Sequence, residues 1–433
     1  MNDKFAQTLT LLYGAQAPQQ TERYLQLAER LRGLGVRTVG FASASGRTEL
    51  GGNHTDHNHG RVLAAAIDLD AVAAVAPRDD GRIALHSQGF AGVFTVDMHA
   101  GLEPIAAEHG TPTALLRGVA AALHQRGLQI GGFDAWVDSE VPTGAGLSSS
   151  AAFEVLIGSI FNGLYNRGSI APQVLAIAGQ EAENRHFGKP CGLMDQMASA
   201  LGGVVTIDFA YPAAPRSSQV PLQLQGLGFR LAVVDTGGSH ADLTGDYAAI
   251  PSEMRAVASV LEREVLRGVT MAELLENTPR LRVALGDRAL LRAMHFVGED
   301  ARVVQQRHAL QRHDFATFLA LVRASGASSQ RWLQNVVPAA ATRDQGMALA
   351  LAITEDLLQG QGACRVHGGG FAGAIQVWLP VGLEAAYQAR MEPVFGANCV
   401  RWLAVRPVGA AWLPVEDGHS SAARASIGGL AHP

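Results

Sequence analysis

Residues 141–152 read VPTGAGLSSSAA, and the fold turns on how this stretch is understood. Before it, Phe133 to Val141 alternates like a strand, and Pro142 punctuates its end. Gly144 and Gly146 flank Ala145, after which Leu147, Ser148, Ser149 and Ser150 lead into a helix. Glycines let backbone approach an anion without a β-carbon in the way. The amides of a helix start, with the dipole behind them, stabilise phosphate. The serine hydroxyls add donors or a ligand for magnesium. No Gly-Lys-Ser/Thr follows, so this is not a Walker A loop, and the Gly-x-Ser-x-Gly of a nucleophile elbow is absent. Taken alone, an ordinary glycine-rich loop with a serine N-cap also fits.

Three further stretches carry chemistry. HGGGFAG at 367–373 contains a literal Gly-x-Gly-x-x-Gly, but the strand-like AIQVWLP follows where a dinucleotide fingerprint needs a helix. A glycine-rich connection between two strands is the better reading. GRTELGGNHTDHNHGR at 46–61 crowds Arg47, Glu49, Asp56 and three histidines, His54, His57 and His59, together. Its spacing matches no strong zinc pattern, which leaves a solvated turn or a pocket wall that hydrogen-bonds a hydroxyl-rich ligand. GQEAENRHFGKPCGLMDQ at 179–196 holds Glu183 at a helix end and Asp195 beyond a Gly/Pro turn, where an N-cap is the plain alternative.

The rest of the chain sets limits. Its 433 residues contain 17% charged and 48% apolar residues, too apolar for a disordered chain. The net charge of −5 gives no footprint for nucleic acid. No apolar run reaches the roughly 18 residues of a membrane helix, since Asp68 and Asp70 cut the alanine-rich stretch. Three cysteines point to a reducing compartment. Ala15-Gln16-Ala17 imitates a signal-peptidase site without an apolar region before it, so a cytoplasmic location is expected.

Residues 20–34 have helical spacing with Thr21 as N-cap, and Val36 to Ser43 reads as a strand. Short strands are expected between 61 and 98, with Arg78 to Gly81 as a hairpin turn. Helices are expected at about 112–126, from Ser148, from Pro172 to about Phe187, and over most of 251–360 with breaks at Thr278-Pro279 and Ser325-Gly326. Strands return at Cys364 to His367, Ala374 to Leu379 and Val400 to Pro407. Strands and helices mix without regular βαβ alternation, so the fold class is α+β. The expected division is an N-terminal domain 1–215, a C-terminal domain 216–415 and a tail 416–433 with little to bury.

In this order and spacing the four stretches resemble the GHMP family of small-molecule kinases, and within it the galactokinases. The resemblance spans Val36 to Leu413 and is supported by Tyr247, by His295 to Glu299 and by Val408-Gly409-Ala410. It implies a two-domain fold with mixed sheets, packed helices and the active site between the domains. It also implies ATP and Mg2+ as cofactors and a sugar as the small-molecule partner. Asp195 matches the aspartate that meets the sugar's anomeric hydroxyl, and Arg47 the arginine beside it and the transferred phosphate. Gly144 to Ser150 would form the nucleotide-phosphate loop. Ser150 and Glu183 match magnesium partners, and His54, Asp56, Gly192 and Tyr247 match sugar-contacting positions.

The departures fall on the sugar side. Ser45 replaces the family's proline, and the usual Asn-Leu-Ile-Gly-Glu is Glu49-Leu50-Gly51-Gly52-Asn53. The glutamate that reads the sugar's 6-position is therefore Asn53, and Ala248-Ala249 stand where paired arginines follow the tyrosine. The implied activity is phosphorylation of the anomeric hydroxyl of galactose to galactose 1-phosphate. The alternatives are a related substrate, such as a uronic acid or amino sugar, or a silent sugar and ATP sensor. Oligomeric state is not legible.

Overall fold

The computed structural model describes residues 3–415 except 145, 223, 225, 239–242 and 372; the expected tail and Ala145 lie outside the described residues. In chain order the strands are β1 (Gly40–Gly51), β2 (Arg61–Arg78), β3 (Arg82–Ser87), β4 (Val93–Asp97), β5 (Gly132–Ser139), β6 (Val204–Asp208), β7 (Arg216–Val220), β8 (Phe229–Asp235), β9 (Ala363–Val366), β10 (Ala374–Pro380), β11 (Val400–Leu403) and β12 (Ala411–Pro414). Among the described residues they form an eight-stranded sheet, β12-β1-β2-β5-β3-β4 with β6 and β7 branching from β2, and a four-stranded sheet, β11-β8-β10-β9.

β2 is one strand of 18 residues, where sequence breaks suggested several. Both of its faces are covered, which explains the nearly unbroken apolar run. Ala71, Ala73 and Val75 face the helices Pro112–Gln125, Ser149–Tyr165 and Pro172–Ala182, while Val72, Ala74 and Ala76 face the N-terminal helices Asp3–Tyr13 and Ala17–Gly33. Asp70, which looked like an interruption, is fully buried and paired with Arg23 and Arg406, each at 2.7 Å.

The expected hairpin at Arg78 to Gly81 does not form. β5 inserts between β2 and β3, antiparallel to the first and parallel to the second. Local turn chemistry was right, but the pairing is decided by a strand some fifty residues later in the chain. Thr21 is likewise not an N-cap. The helix begins at Ala17 with a proline in its first turn, and the Thr21 hydroxyl bonds back to the Ala17 carbonyl. Ser325-Gly326 is not a break either, since helix Phe315–Ser328 runs through it with Gly326 lying against Arg365 and Cys364 of β9. β12 was not foreseen, and it returns the chain to the first sheet beside β1.

The first sheet crosses the expected boundary at 215, since β7 pairs with β6 and β12 with β1. A second core, including Leu50, Leu63, Leu147, Leu231, Phe318 and Trp378, joins the two sheets and their helices. On the far side of the four-stranded sheet, helices Gly346–Leu358 and Glu384–Phe395 close a third core. The loop before helix Ser149–Tyr165 and the late glycine loop thus lie against each other, Gly146 beside His367 and Ala374.

Candidate active site

The segment 46–51 is not a solvated turn; it is the buried end of β1. Pairing with β2 shifts register between Ser45 and Arg47, the kind of irregularity that re-aims a side chain beside a site. Gly46 is needed there, since a β-carbon would stand 2.7 Å from the Leu147 carbonyl of the phosphate loop. The loop is tied on by Arg47 N–H donating to that carbonyl at 3.2 Å. The Arg47 guanidinium, 7% exposed, donates to Asp195 Oδ1 at 2.7 Å and to the Gly146 carbonyl at 2.5 Å.

Asp195 lies in the first turn of helix Met194–Leu201, and its second oxygen accepts a hydrogen bond from the Ser148 hydroxyl. Ser148 has a left-handed backbone, φ 62°, and makes no side-chain cap, so its hydroxyl serves Asp195 rather than the helix end. Burial works to raise the Asp195 carboxyl. Arg47 and Ser148 outweigh it and hold the group below its usual range.

Helix Pro172–Ala182 opens into a π turn, Glu183–Phe187, of the type often found at functional sites. The turn presents Glu183, whose Oε1 lies 3.1 Å from Ser150 Oγ and 3.0 Å from Lys189 Nζ. Behind it Gln196 bridges Glu183 and Glu154 at 3.1 and 2.9 Å. Burial, then the neighbouring Glu183, push the Glu154 carboxyl well above the carboxylate range. Lys189, Glu154 and Gln196 were missed as participants. The position of Glu154 one helical turn after Ser150, on the same face, was the available signal.

Asp56 and Gly192, both expected at the sugar, come together. A β-carbon at Gly192 would lie 1.8 Å from Asp56 Oδ2, so only glycine fits as placed. His54 donates from Nε2 to the Gly369 carbonyl at 2.8 Å, and burial lowers it to about 3, leaving a neutral ring with Nδ1 as acceptor. Tyr247 packs edge-on against Phe371 and donates to the Gly370 carbonyl at 2.7 Å. The late glycine loop therefore joins β9 to β10 and abuts the site, as its strand-like flanks suggested.

Asn53 departs from expectation. It is fully buried, and its amide donates to the Gly368 carbonyl at 2.6 Å and to Glu49 at 3.2 Å. Its Oδ1 accepts from Asn335 at 2.8 Å and from Ser329 at 3.3 Å. The amide is committed to protein partners and forms the wall behind the pocket rather than an open contact. Glu49 pairs with Arg365, also completely buried. His295 holds the Asn53 carbonyl at 3.0 Å, and Glu299 accepts from Gly52 N–H at 3.0 Å. The His295 to Glu299 segment thus supports the turn from beneath.

Among the described residues no group of three His, Cys, Asp or Glu side chains could hold a metal by itself, and no helix is long and apolar enough to cross a membrane.

Family models agree with this layout. Residues 114–203 match the GHMP kinases N terminal domain, and residues 34–77 match the galactokinase galactose-binding signature. The fold is similar to that of Lactococcus lactis galactokinase complexed with galactose, with a TM-score of 0.75 and 24% identity over 89% of this chain and 98% of that one. Methanococcus jannaschii mevalonate kinase shares it at a TM-score of 0.60 and 13% identity, over 85% of this chain and 98% of the other. A galactokinase of Streptomyces coelicolor is 35% identical over 375 residues, which cover 86% of this chain and 92% of that protein. On that identity, sustained across nearly the whole of both chains, this protein belongs to the galactokinase family of the GHMP kinases.

Proposed function

We propose that this protein transfers the γ-phosphoryl group of ATP to the anomeric hydroxyl of galactose, releasing ADP and galactose 1-phosphate. The observation that carries the reading is the set Arg47, Asp195 and Ser148 beside the phosphate loop, with Asp195 held ionised. In this reading Asp195 accepts a hydrogen bond from the sugar hydroxyl and fixes its attack line. Held below its usual range by Arg47 and Ser148, the carboxylate stays charged to orient the hydroxyl and accept its proton as the oxygen bonds to phosphorus. Arg47 keeps the carboxylate charged and adds positive charge beside the equatorial oxygens. Asp56 and His54 offer acceptors to sugar hydroxyls, with Gly192 leaving room for the Asp56 carboxylate.

A magnesium ion fits Ser150 and Glu183. Both offer hard oxygens, and they lie 3.1 Å apart, so together they would hold the cation. Lys189, whose side chain is 61% exposed, can swing off Glu183 to admit it. When bound, the ion neutralises charge on the nucleotide phosphates. Three free cysteines and the need for ATP favour the cytoplasm as the place of work.

A related sugar is the second reading: Asn53 stands in place of the family's acid, and its amide is taken up by Gly368 and Asn335. A silent sensor is disfavoured by the complete set Arg47, Ser150, Glu183 and Asp195. Coupled ADP release measured over galactose, 6-deoxygalactose, galacturonate and galactosamine tests all three. Galactose giving the highest kcat/KM supports the reading, another sugar exceeding it overturns the substrate, and no turnover with any overturns the kinase.

A further inference from the structure

His367 opens the late glycine loop and has no part in the chemistry described so far. It is 2% exposed, and its ring stands between the end of β1 and the phosphate loop. Nε2 lies 3.0 Å from the Thr48 hydroxyl and accepts from the Glu49 N–H at 3.4 Å. The Thr48 oxygen already accepts from Gln376 Nε2 at 2.7 Å, so its own proton is directed to the imidazole. Two donors on Nε2 fix the tautomer, and the ring's proton must sit on Nδ1. Burial, then the nearby Arg47 and Arg365 charges, hold the imidazole well below its usual range, so it is neutral.

Nδ1–H is buried and has no hydrogen-bond partner among the described residues. It faces Gly146, where an added β-carbon would stand 3.3 Å away. That is the residue whose carbonyl takes the Arg47 guanidinium, and an added β-carbon at Gly368 would lie 3.9 Å from the same carbonyl. An unpaired buried donor is costly unless an acceptor arrives with a ligand, and the ligand expected at this loop is a phosphate.

We infer that His367 is a further residue of the phosphoryl-transfer site, its Nδ1–H donating to an oxygen of the γ-phosphoryl group of bound ATP. The inference rests on the kinase reading for its ligand. A neutral donor suits the task, since it stabilises charge on the phosphoryl oxygens without competing with Arg47 for Asp195.

Two isosteric variants separate the ring's ends. His367→Gln keeps a group near Nε2 for Thr48 and Glu49 and loses the Nδ1 donor; His367→Asn keeps a donor near Nδ1 and loses the Nε2 contacts. The expected result is a kcat about 10²-fold lower for His367→Gln, with KM for galactose unchanged, and within about fivefold of the parent for His367→Asn. The reverse order overturns the inference, because it would make the Thr48 side the important one. If either variant fails to fold, the unaltered protein labelled with ¹⁵N-histidine is titrated with the imido analogue of ATP and with ADP. The His367 Nδ1 proton should move downfield with the analogue and not with ADP; a resonance unmoved by the analogue, or moved equally by both, overturns it. These spectra require no turnover, so they distinguish failure of this inference from failure of the proposed reaction.

Discussion

Asp195 and Asn53 are each read by what their side-chain atoms already hold. Asp195 has one oxygen on Arg47 and the other on Ser148, and it stays partly open to solvent at 32% exposure. Asp195→Asn keeps the size and loses the charge, so turnover should fall about 10²–10⁴-fold while the melting temperature stays within a few degrees. Steady-state rates and a thermal melt check it, and near-normal turnover would remove Asp195 from its role. Asn53 lies against Glu49, whose carboxyl burial pushes up while Arg365 and Arg47 pull it back. Asn53→Glu puts a second acid beside it and strips Gly368 of a donor, for a loss of about 3 kcal/mol or more in urea unfolding. Glu49→Asn with Asn53→Glu exchanges the two groups and should recover most of that loss. A double variant no more stable than Asn53→Glu alone would show that the two residues are not coupled.

At the scale of elements, the site is assembled where regular structure is interrupted. Arg47 follows a register shift in β1, Glu183 sits on a π turn, and Asp195 begins a short helix. The helix end at Glu183 and the Gly/Pro turn before Asp195 were legible in the sequence, whereas the register shift in β1 and the π geometry at Glu183 depend on what the neighbouring element accepts. The Gly192 turn is the tightest of the junctions. Gly192→Ala forces the Asp56 carboxylate aside and should raise KM for galactose about tenfold or more, equivalent to about 1.4 kcal/mol, with KM for MgATP within about twofold. Equal effects on both constants would mean that the turn supports the whole site rather than the sugar side. Elements whose apolar period is local were legible: helix Pro112–Gln125, β9 and β10 all fall where the pattern put them.

Across the whole molecule, buried charges join segments that are far apart in sequence. Asp70 ties Arg23 of an N-terminal helix to Arg406 near the last strand, and Glu299 ties Gly52, Ser325 and Arg302 together. Burial would raise Glu299, but Arg302, His295 and Arg365 hold it down at about 2. An unfolded glutamate titrates near 4.3, so the stability this group contributes is complete above that pH and is lost as pH falls towards about 2. Urea unfolding between about pH 5 and pH 2.5 should show a shallower acid decline for Glu299→Gln than for the parent. Equal slopes would mean that Glu299 is not the group responsible.

Sequence alone pointed to the reaction class, because four contiguous motifs, among them 141–152, KPCGLMDQ and the late glycine-rich connection, together resemble one kinase family, although each taken singly left a plain structural reading open. It also determined the α+β class from strand and helix periods. Tertiary structure decided everything that depends on distant partners. It put β5 between β2 and β3, kept β2 whole by covering both faces, and brought β12 back beside β1. It also withdrew Asn53 behind the pocket and aimed His367 at the phosphate loop, since those partners come from some 220 to 320 residues away along the chain. A side chain's type is written in the sequence, but its remaining hydrogen-bonding capacity is fixed only when the fold has chosen its neighbours.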